Sequence, residues 1–581
     1  MTGNKIKQIP YGVSDFEILK KELYYYVDKT NYIFNLEELG RYLFLIRPRR
    51  FGKSLLLSML ESYYDIAKKD QFEEIFEGTA IKDNPTKERN SYLIMKLNFS
   101  EVNPALEFVE ESFEKCNCNI FNDFIVKYQK FFDQEFLERL NENKRFTDKL
   151  NALFSYAKRI GLKLYVLLDE YDNFANTILS SDGKDKYKDL THGGGFFRYF
   201  FNVLKGGTTG SGAAISRLFI TGVSPVTMDD VTSGFNIGSL ISLEKEVNEL
   251  LGLTEKEVKE MLRYYISHGL IKKEEELYHY EMMSKWYNNY KFASAVQLRV
   301  FNTDMVLYYV KSIIRGNIPD NLIDSNVKID YKKLRHLMTL DKNLNGNFSN
   351  LESIIEHGEI KSKIINSFPA EGLIKKGNFI SLLYYFGLLT IDTVELDASV
   401  LKIPNLSVKS LYYEYFREAL EDVEMFELSA GDFSQLLRDM ALKGEWEQVF
   451  DYLAKQINNQ TSVRDYLSGE KVIQGFLLAY LNIVDLFIIR SEYETNKGFA
   501  DLYLEPFIAK YEGINYSYLV ELKYVKREDD EKVIENKVRE ARDQLIKYEH
   551  DYIVQKTKGK TKLKKLILVF KGWELIVRQE V

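Results

Sequence analysis

RPRRFGKS, Arg47–Ser54, read together with LYVLLDEYD, Leu164–Asp172, decides the fold. The first stretch follows a short apolar run, Tyr42–Ile46, and opens a segment in which Leu56, Leu57, Leu60 and Tyr64 recur at helical spacing. Strand, tight basic loop and helix make the setting of a phosphate-binding loop. Such a loop curls backbone N–H groups around phosphates, so Gly52 lets the backbone approach. Lys53 supplies charge to β/γ oxygens, and Ser54 a hydroxyl for Mg²⁺. Arg47 stands where the usual pattern has its first Gly, and Pro48, Arg49, Arg50 and Phe51 complete the loop. Arg49 and Arg50 are open to two readings: contacts to nucleotide or a neighbouring subunit, or a solvated basic loop.

The second stretch is an apolar strand ending in two acids. Asp169 at its tip is placed to hold Mg²⁺ and Glu170 to polarise an attacking water. A further strand, Tyr92–Phe99, separates the two motifs, which suits the P-loop branch with an inserted strand and a catalytic Glu. Thr221, ending the strand Arg217–Thr221, is the candidate γ-phosphate sensor, with Ser224 as alternative. The alternation of strands and helices predicts a mostly parallel sheet covered on both faces. ATP and Mg²⁺ are the expected cofactors.

The length of 581 residues exceeds one ordinary domain, and an apolar fraction of 45% supplies real cores. Three regions are expected: a nucleotide-binding domain over 1–245, a helical connecting region over 246–410 and a third domain over 411–581. In the middle region LTEKEVKEML offers a capping box, Thr254 with Glu257. FISLLYYFGLLTI followed by VLKIPNLSVKSLYYEYF reads as a winged-helix-like element, and without a recognition helix rich in Arg or Asn it reads as a spacer. The net charge of −7 does not advertise a polyanion partner. Two Cys, Cys116 and Cys118, and six scattered His offer no zinc spacing. The N-terminus lacks an apolar leader and no apolar run reaches a membrane span, so a cytoplasmic protein without a membrane partner is expected.

The third domain reads αβββαβ with one terminal strand added. GFADLYL carries Asp501 on one strand and YLVELKY carries Glu521 and Lys523 on the next. Residues two apart on a strand share a face, so Glu521 and Lys523 project together while Val520, Leu522 and Tyr524 face the opposite way into the core. A hairpin brings Asp501 beside Glu521. Two carboxylates make a hard-cation site, and Lys523 is placed to orient a water or steady a developing anion. The ordinary alternative for E-x-K is an exposed ion-pairing strand. Glu470, on the preceding helix, is a further acidic candidate. The tract QKTKGKTKLKK, Gln555–Lys565, reads equally as a phosphate contact or a solvated loop.

Taken together, YVDKT (Tyr26–Thr30), RPRRFGKS, LLDEYD, ITGVSPVTMDDVTSGFNIG (Ile220–Gly238), WYNNYKF (Trp286–Phe292) and SLLYYFGLLTI resemble the bacterial AAA-ATPase-like family fused to a C-terminal PD-(D/E)XK nuclease domain. The resemblance covers nearly the whole chain, and Arg47 fits the family pattern. It implies an AAA/STAND-like ATPase domain followed by a restriction-endonuclease-like domain. It also implies that Gln544 and Glu494 occupy family positions, Gln544 positioning water or phosphate and Glu494 assisting a metal. The expected function is ATP binding and hydrolysis joined to Mg²⁺-dependent cleavage of DNA or other nucleic acid, with nucleotide state as a control. The alternative is a nucleotide-switched scaffold whose nuclease-like domain docks without cutting. A homo-oligomer is left open.

Overall fold

A computed structural model describes residues 6–581 apart from 182–183, 193, 227–236, 328–338, 341–342, 345, 423–429, 460–469, 496–497, 509 and 573. Most of VTMDDVTSGFNI, within the Ile220–Gly238 motif, lies outside the described residues. The chain divides into two units, Met1–His336 with Lys361–Ser407, and Leu337–Ile360 with Val408–Val581.

The first unit is built on five parallel strands: β1 (Tyr42–Ile46), β2 (Leu93–Asn98), β3 (Leu164–Asp169), β4 (Ile215–Gly222) and β5 (Ser239–Leu240), in the order β2-β3-β4-β1-β5. All six residues of β3 are buried, as befits a strand with helices on both faces. The strand that separates β1 from β3 in space is β4, whereas β2, the extra strand noticed in sequence, lies at the sheet edge. The aromatic helix Phe196–Gly207 packs Phe197 and Phe200 against Phe99 and Phe113 over one sheet end.

Thr254 and Glu257 form the expected capping box on helix Glu255–Ser267. A small sheet in the order β6-β8-β7 joins β6 (Glu359–Ser362), β7 (Thr390–Glu395) and β8 (Ala398–Lys402). With helices Lys376–Tyr385 and Leu406–Asp422 beside the β7–β8 hairpin in sequence, the element order is the winged-helix-like one. Among the described residues no helix is long and apolar enough to cross a membrane.

The second unit carries β9 (Phe487–Thr495), β10 (Gly498–Pro506), β11 (Tyr516–Val525), β12 (Lys562–Lys571) and β13 (Glu574–Glu580), hydrogen-bonded in chain order. Only β11 and β12 run parallel, because helix Glu531–Glu549 crosses between them. With helix Glu470–Leu481 in front, the αβββαβ order holds. Leu519 and Val525 of β11 pack against Ala541 and Leu545 of the crossing helix, while Val520 and Leu522 are buried on the other face.

Candidate functional site

The loop between β1 and helix Lys53–Tyr64 turns through two left-handed residues, Arg50 at φ +68° and Gly52 at φ +98°. Glycine takes that conformation freely, whereas an arginine there is strained and must be held. Asp304 holds it: its backbone N–H donates to Arg50 O at 3.2 Å, and its carboxylate lies 3.5 Å from Arg50 Nη1. Thr303 Oγ1 donates to Phe51 O at 3.3 Å. The loop thereby sits against the start of helix Thr303–Ile313.

Two hydroxyls converge on Asp169. Ser54 Oγ donates to its Oδ2 at 2.6 Å and Thr221 Oγ1 to its Oδ1 at 2.7 Å, from α-helix start and β4 respectively. Lys53 is buried, and its ammonium donates to Arg47 O at 3.0 Å and Pro48 O at 2.9 Å. Burial pushes that ammonium down to about 8, against the opposing pull of Asp169 and Glu170. Glu170, at φ +48°, turns the chain off β3 and accepts from Asn173 Nδ2. Arg49, Lys53, Ser54 and Glu170 line a cavity of about 420 Å³, closed on its other side by Gly12, Tyr26 and Leu251. Hydroxyl, carboxylate and ammonium side by side are the donor set that a magnesium-bound polyphosphate requires.

Arg47 and Pro48 do not send their side chains into that cavity. The Arg47 guanidinium is buried, donating to Ser242 O at 2.5 Å, Val247 O at 3.2 Å and Ile46 O at 3.2 Å, and it lies 4.1 Å from the centroid of the Phe292 ring. What Arg47 offers the loop is backbone: its N–H bonds Gly222 O and its carbonyl receives Lys53. The ring of Pro48 lies over Gly387, where an added Cβ would come within 2.7 Å of Pro48 Cγ. Phe51 meets Tyr290 and Phe292 at 4.9 and 5.5 Å between centroids. The WYNNYKF and SLLYYFGLLTI segments therefore form the back wall of the phosphate loop. Ser224, the alternative sensor, spends its hydroxyl on Val226 N–H.

In the second unit, the pairing of Leu502 with Val520 sets Asp501 across from Glu521. Asp501 N–H lies 3.4 Å from Glu521 Oε1, and Asp501 Oδ2 accepts Leu522 N–H at 2.8 Å. Lys523 Nζ reaches Glu521 Oε2 at 3.0 Å and Asp501 Oδ2 at 3.3 Å. Glu521 is 0% exposed and Lys523 8%, so this is no surface ion-pairing strand. Burial, and then the Asp501 carboxylate, push the Glu521 carboxyl up, opposed by Lys523. Two oxygen-bearing acids held together at an electrostatic cost suit a hard divalent cation, which would relieve it. Among the described residues no group of three or more His, Cys, Asp or Glu converges for a metal.

Gln544 hydrogen-bonds the Tyr548 hydroxyl, which burial and then the Glu521 carboxylate push up, and its own Oε1 is buried without a hydrogen-bond partner among the described residues. Glu494 stands on β9 opposite Phe499 and Glu470 opens helix Glu470–Leu481, but both side chains lie outside the described residues. Within the basic tract, Lys564 and Lys565 pair with Glu580 and Glu549. Cys116 and Cys118 are free thiols, and burial raises that of Cys118. Three residues join these sites without having been singled out in sequence: Asp172, Tyr548, and Gln474, whose Nε2 donates to Asp501 O at 2.8 Å. The signals existed for two of them. Asp172 is the last acid of LLDEYD, and Tyr548 follows Gln544 by one helical turn.

Comparison with known proteins gives the same two halves. The "Uncharacterized protein in vnfD 5'region" of Azotobacter chroococcum mcd 1 is 25% identical over 423 residues, 70% of this chain and 69% of that one. The ORC2 protein of Aeropyrum pernix, in its ADPNP-ADP complexes, is 12% identical with a TM-score of 0.30, covering 73% of this chain and 96% of that chain. Residues 10–232 match the family described as predicted AAA-ATPase, and residues 468–580 match the PD-(D/E)XK nuclease superfamily. The chain therefore has the architecture of an AAA-ATPase-like region over residues 10–232 followed by a PD-(D/E)XK nuclease-like region over residues 468–580.

Proposed function

We propose that the chain binds and hydrolyses ATP with Mg²⁺ at the Lys53–Ser54–Asp169 cluster and cuts DNA at the Asp501–Glu521–Lys523 cluster. The observation that carries the first half is the convergence of Ser54 and Thr221 hydroxyls on Asp169 beside a buried lysine. In this reading Lys53 leaves its loop carbonyls for the β/γ oxygens, and burial gives its charge strength there. Ser54 and Asp169 hold the cation, Glu170 orients water, and Thr221 reads the third phosphate. In the nuclease half, a divalent cation on Asp501 and Glu521 would neutralise charge on the phosphodiester and activate water. Lys523 then turns to the scissile phosphate, and Gln544, whose buried Oε1 is a hydrogen-bond acceptor, positions that water or the phosphate.

One observation favours the scaffold reading. Lys523 already spans both carboxylates, so the cluster is internally compensated without a cation. Incubating the pure full-length chain with plasmid DNA and Mg²⁺ or Mn²⁺ separates the two. Metal-dependent fragments, lost in Asp501→Ala, support cutting; DNA that stays intact with either metal, with and without ATP, leaves the scaffold.

A further inference from the structure

We infer that Tyr171 and Asp172 are positioning residues: they clamp the end of β4 so that Thr221 tells a third phosphate from its absence. The inference rests on the ATP reading above and adds to it how discrimination is built.

Asp172 stands at the start of helix Asn173–Ser181, with its carbonyl accepting Asn176 N–H at 2.9 Å. An aspartate there ordinarily caps its own helix. This carboxylate turns instead to another strand. Its Oδ2 accepts Ser224 N–H at 2.6 Å and Val223 N–H at 3.1 Å, and Asn176 Nδ2 holds it from behind at 2.7 Å. Two successive backbone N–H groups form a concavity that attracts an anion. Here the anion is built into the chain, and the carboxylate is 1% exposed.

Tyr171 grips the same turn from its other side. Its N–H donates to Thr221 O at 3.1 Å and its hydroxyl to Ser224 O at 2.6 Å. Between them Gly222 has no room for a side chain: an added Cβ would lie 2.4 Å from the Tyr171 ring and 2.6 Å from Asp172 Oδ1. Gly222 O in turn receives Arg47 N–H at 3.2 Å, so the phosphate loop abuts the clamped turn. Four consecutive residues thus divide the work. Asp169 holds the Thr221 hydroxyl, Glu170 faces the cavity, and Tyr171 and Asp172 fix the backbone that carries Thr221.

The test measures dissociation constants for ADP and a non-hydrolysable ATP analogue, with ATP turnover, in wild type, Asp172→Asn and Tyr171→Phe. Asparagine removes the negative charge that the two N–H groups meet, and phenylalanine removes the hydroxyl on Ser224 O, so each weakens the clamp and spares the packing. The expected result is an ADP affinity within about twofold of wild type, with the preference for the ATP analogue contracted roughly tenfold, the scale of one hydrogen bond. Turnover falls by about 10²-fold where a reacting group is misplaced by an ångström. Should either variant unfold, the other carries the comparison. Unchanged preference and turnover in the folded variants overturn the clamp, as does an equal loss of both affinities. A wild type that binds neither nucleotide overturns the ATP reading, and the clamp with it.

Discussion

Lys53 and Glu170 sit in one cavity yet are asked for different things. In the proposed reading Lys53 supplies charge to bound phosphates in ground and transition state alike, so Lys53→Ala is expected to weaken ATP and ADP binding alike, by an order of magnitude or more. The role proposed for Glu170 is to act on the water alone, so Glu170→Gln should bind ATP like wild type and slow turnover by roughly 10²-fold or more. Equilibrium binding and single-turnover hydrolysis on the two proteins read this split, and normal hydrolysis by both would move the site elsewhere. The nuclease cluster divides similarly. Asp501→Ala and Glu521→Ala should lose both cleavage and the rise in melting temperature that Mn²⁺ gives. Lys523→Ala should lose cleavage and keep the metal-induced rise, since an ammonium repels rather than holds the cation.

At the scale of elements, Arg47 explains why this phosphate loop lacks its customary first glycine. Its guanidinium ties β1 to the chain at Ser242 and Val247 and stacks on Phe292, so the loop is anchored by a side chain where other loops rely on a bare backbone. Arg47→Gly, which restores the usual pattern, is expected to cost the first unit about 2–4 kcal/mol by leaving buried carbonyls unpaired, measured as a lower denaturant midpoint for that unit. A second anchor lies at the opposite end of the sheet. Arg217 Nη2 donates to Glu88 Oε1 at 2.9 Å and its Nη1 to Gly40 O at 3.0 Å. Burial pushes the Glu88 carboxyl up, but the bonds from Arg217 and Tyr92 outweigh it and hold the group below its ordinary value. A depressed carboxylate stabilises above the unfolded pKa of about 4.3 and loses that contribution as pH falls through the folded one. Arg217→Met should therefore destabilise the first unit at pH 7 and blunt the part of its acid unfolding that lies below about pH 4. Identical acid profiles for variant and parent would remove Glu88 from that role. Strands and motif order were legible in the sequence because apolar runs ending in GKS or DE carry their own periodicity. The Arg47 anchor was not, since its partners are carbonyls of Ser242 and Val247, which no side-chain pattern encodes. E-x-K announced a shared face for Glu521 and Lys523, but not that helix Glu531–Glu549 buries it; that cover depends on a crossover between parallel strands. The inserted-strand class was legible from the strand between the two motifs in sequence, but not which strand stands between β1 and β3 in space, because spatial order within a parallel sheet is not the order of the chain.

For the whole molecule the question is whether two sites on one chain act on each other. Coupling requires an element with two arrangements that each ligand biases differently. The chain passes between the units at 336/337, 360/361 and 407/408. Shortly before the last of these lie Gly387, packed on Pro48, and the β7–β8 hairpin, whose Asp392 pairs with Arg299 at 2.6 Å. Lys53 holds the carbonyls of Arg47 and Pro48, and bound phosphates are expected to draw it away and release both. Movement of the loop is then expected to reach Phe292 and Gly387, which pack on Phe51 and Pro48. DNA cleavage is accordingly expected to run at different rates with ADP and with a non-hydrolysable ATP analogue, by roughly 5- to 150-fold, the span of about 1–3 kcal/mol of coupling. Lys53→Ala should erase the difference and leave the nucleotide-free rate as it was. Reciprocity supplies a check independent of cutting: DNA must shift the affinity for the analogue relative to ADP by the factor with which nucleotide shifts DNA binding. Free Mg²⁺ must be held constant, because ATP chelates it and would mimic inhibition. Equal rates without nucleotide, with ADP and with the analogue, at fixed free Mg²⁺, would mean that the two domains are tethered and independent.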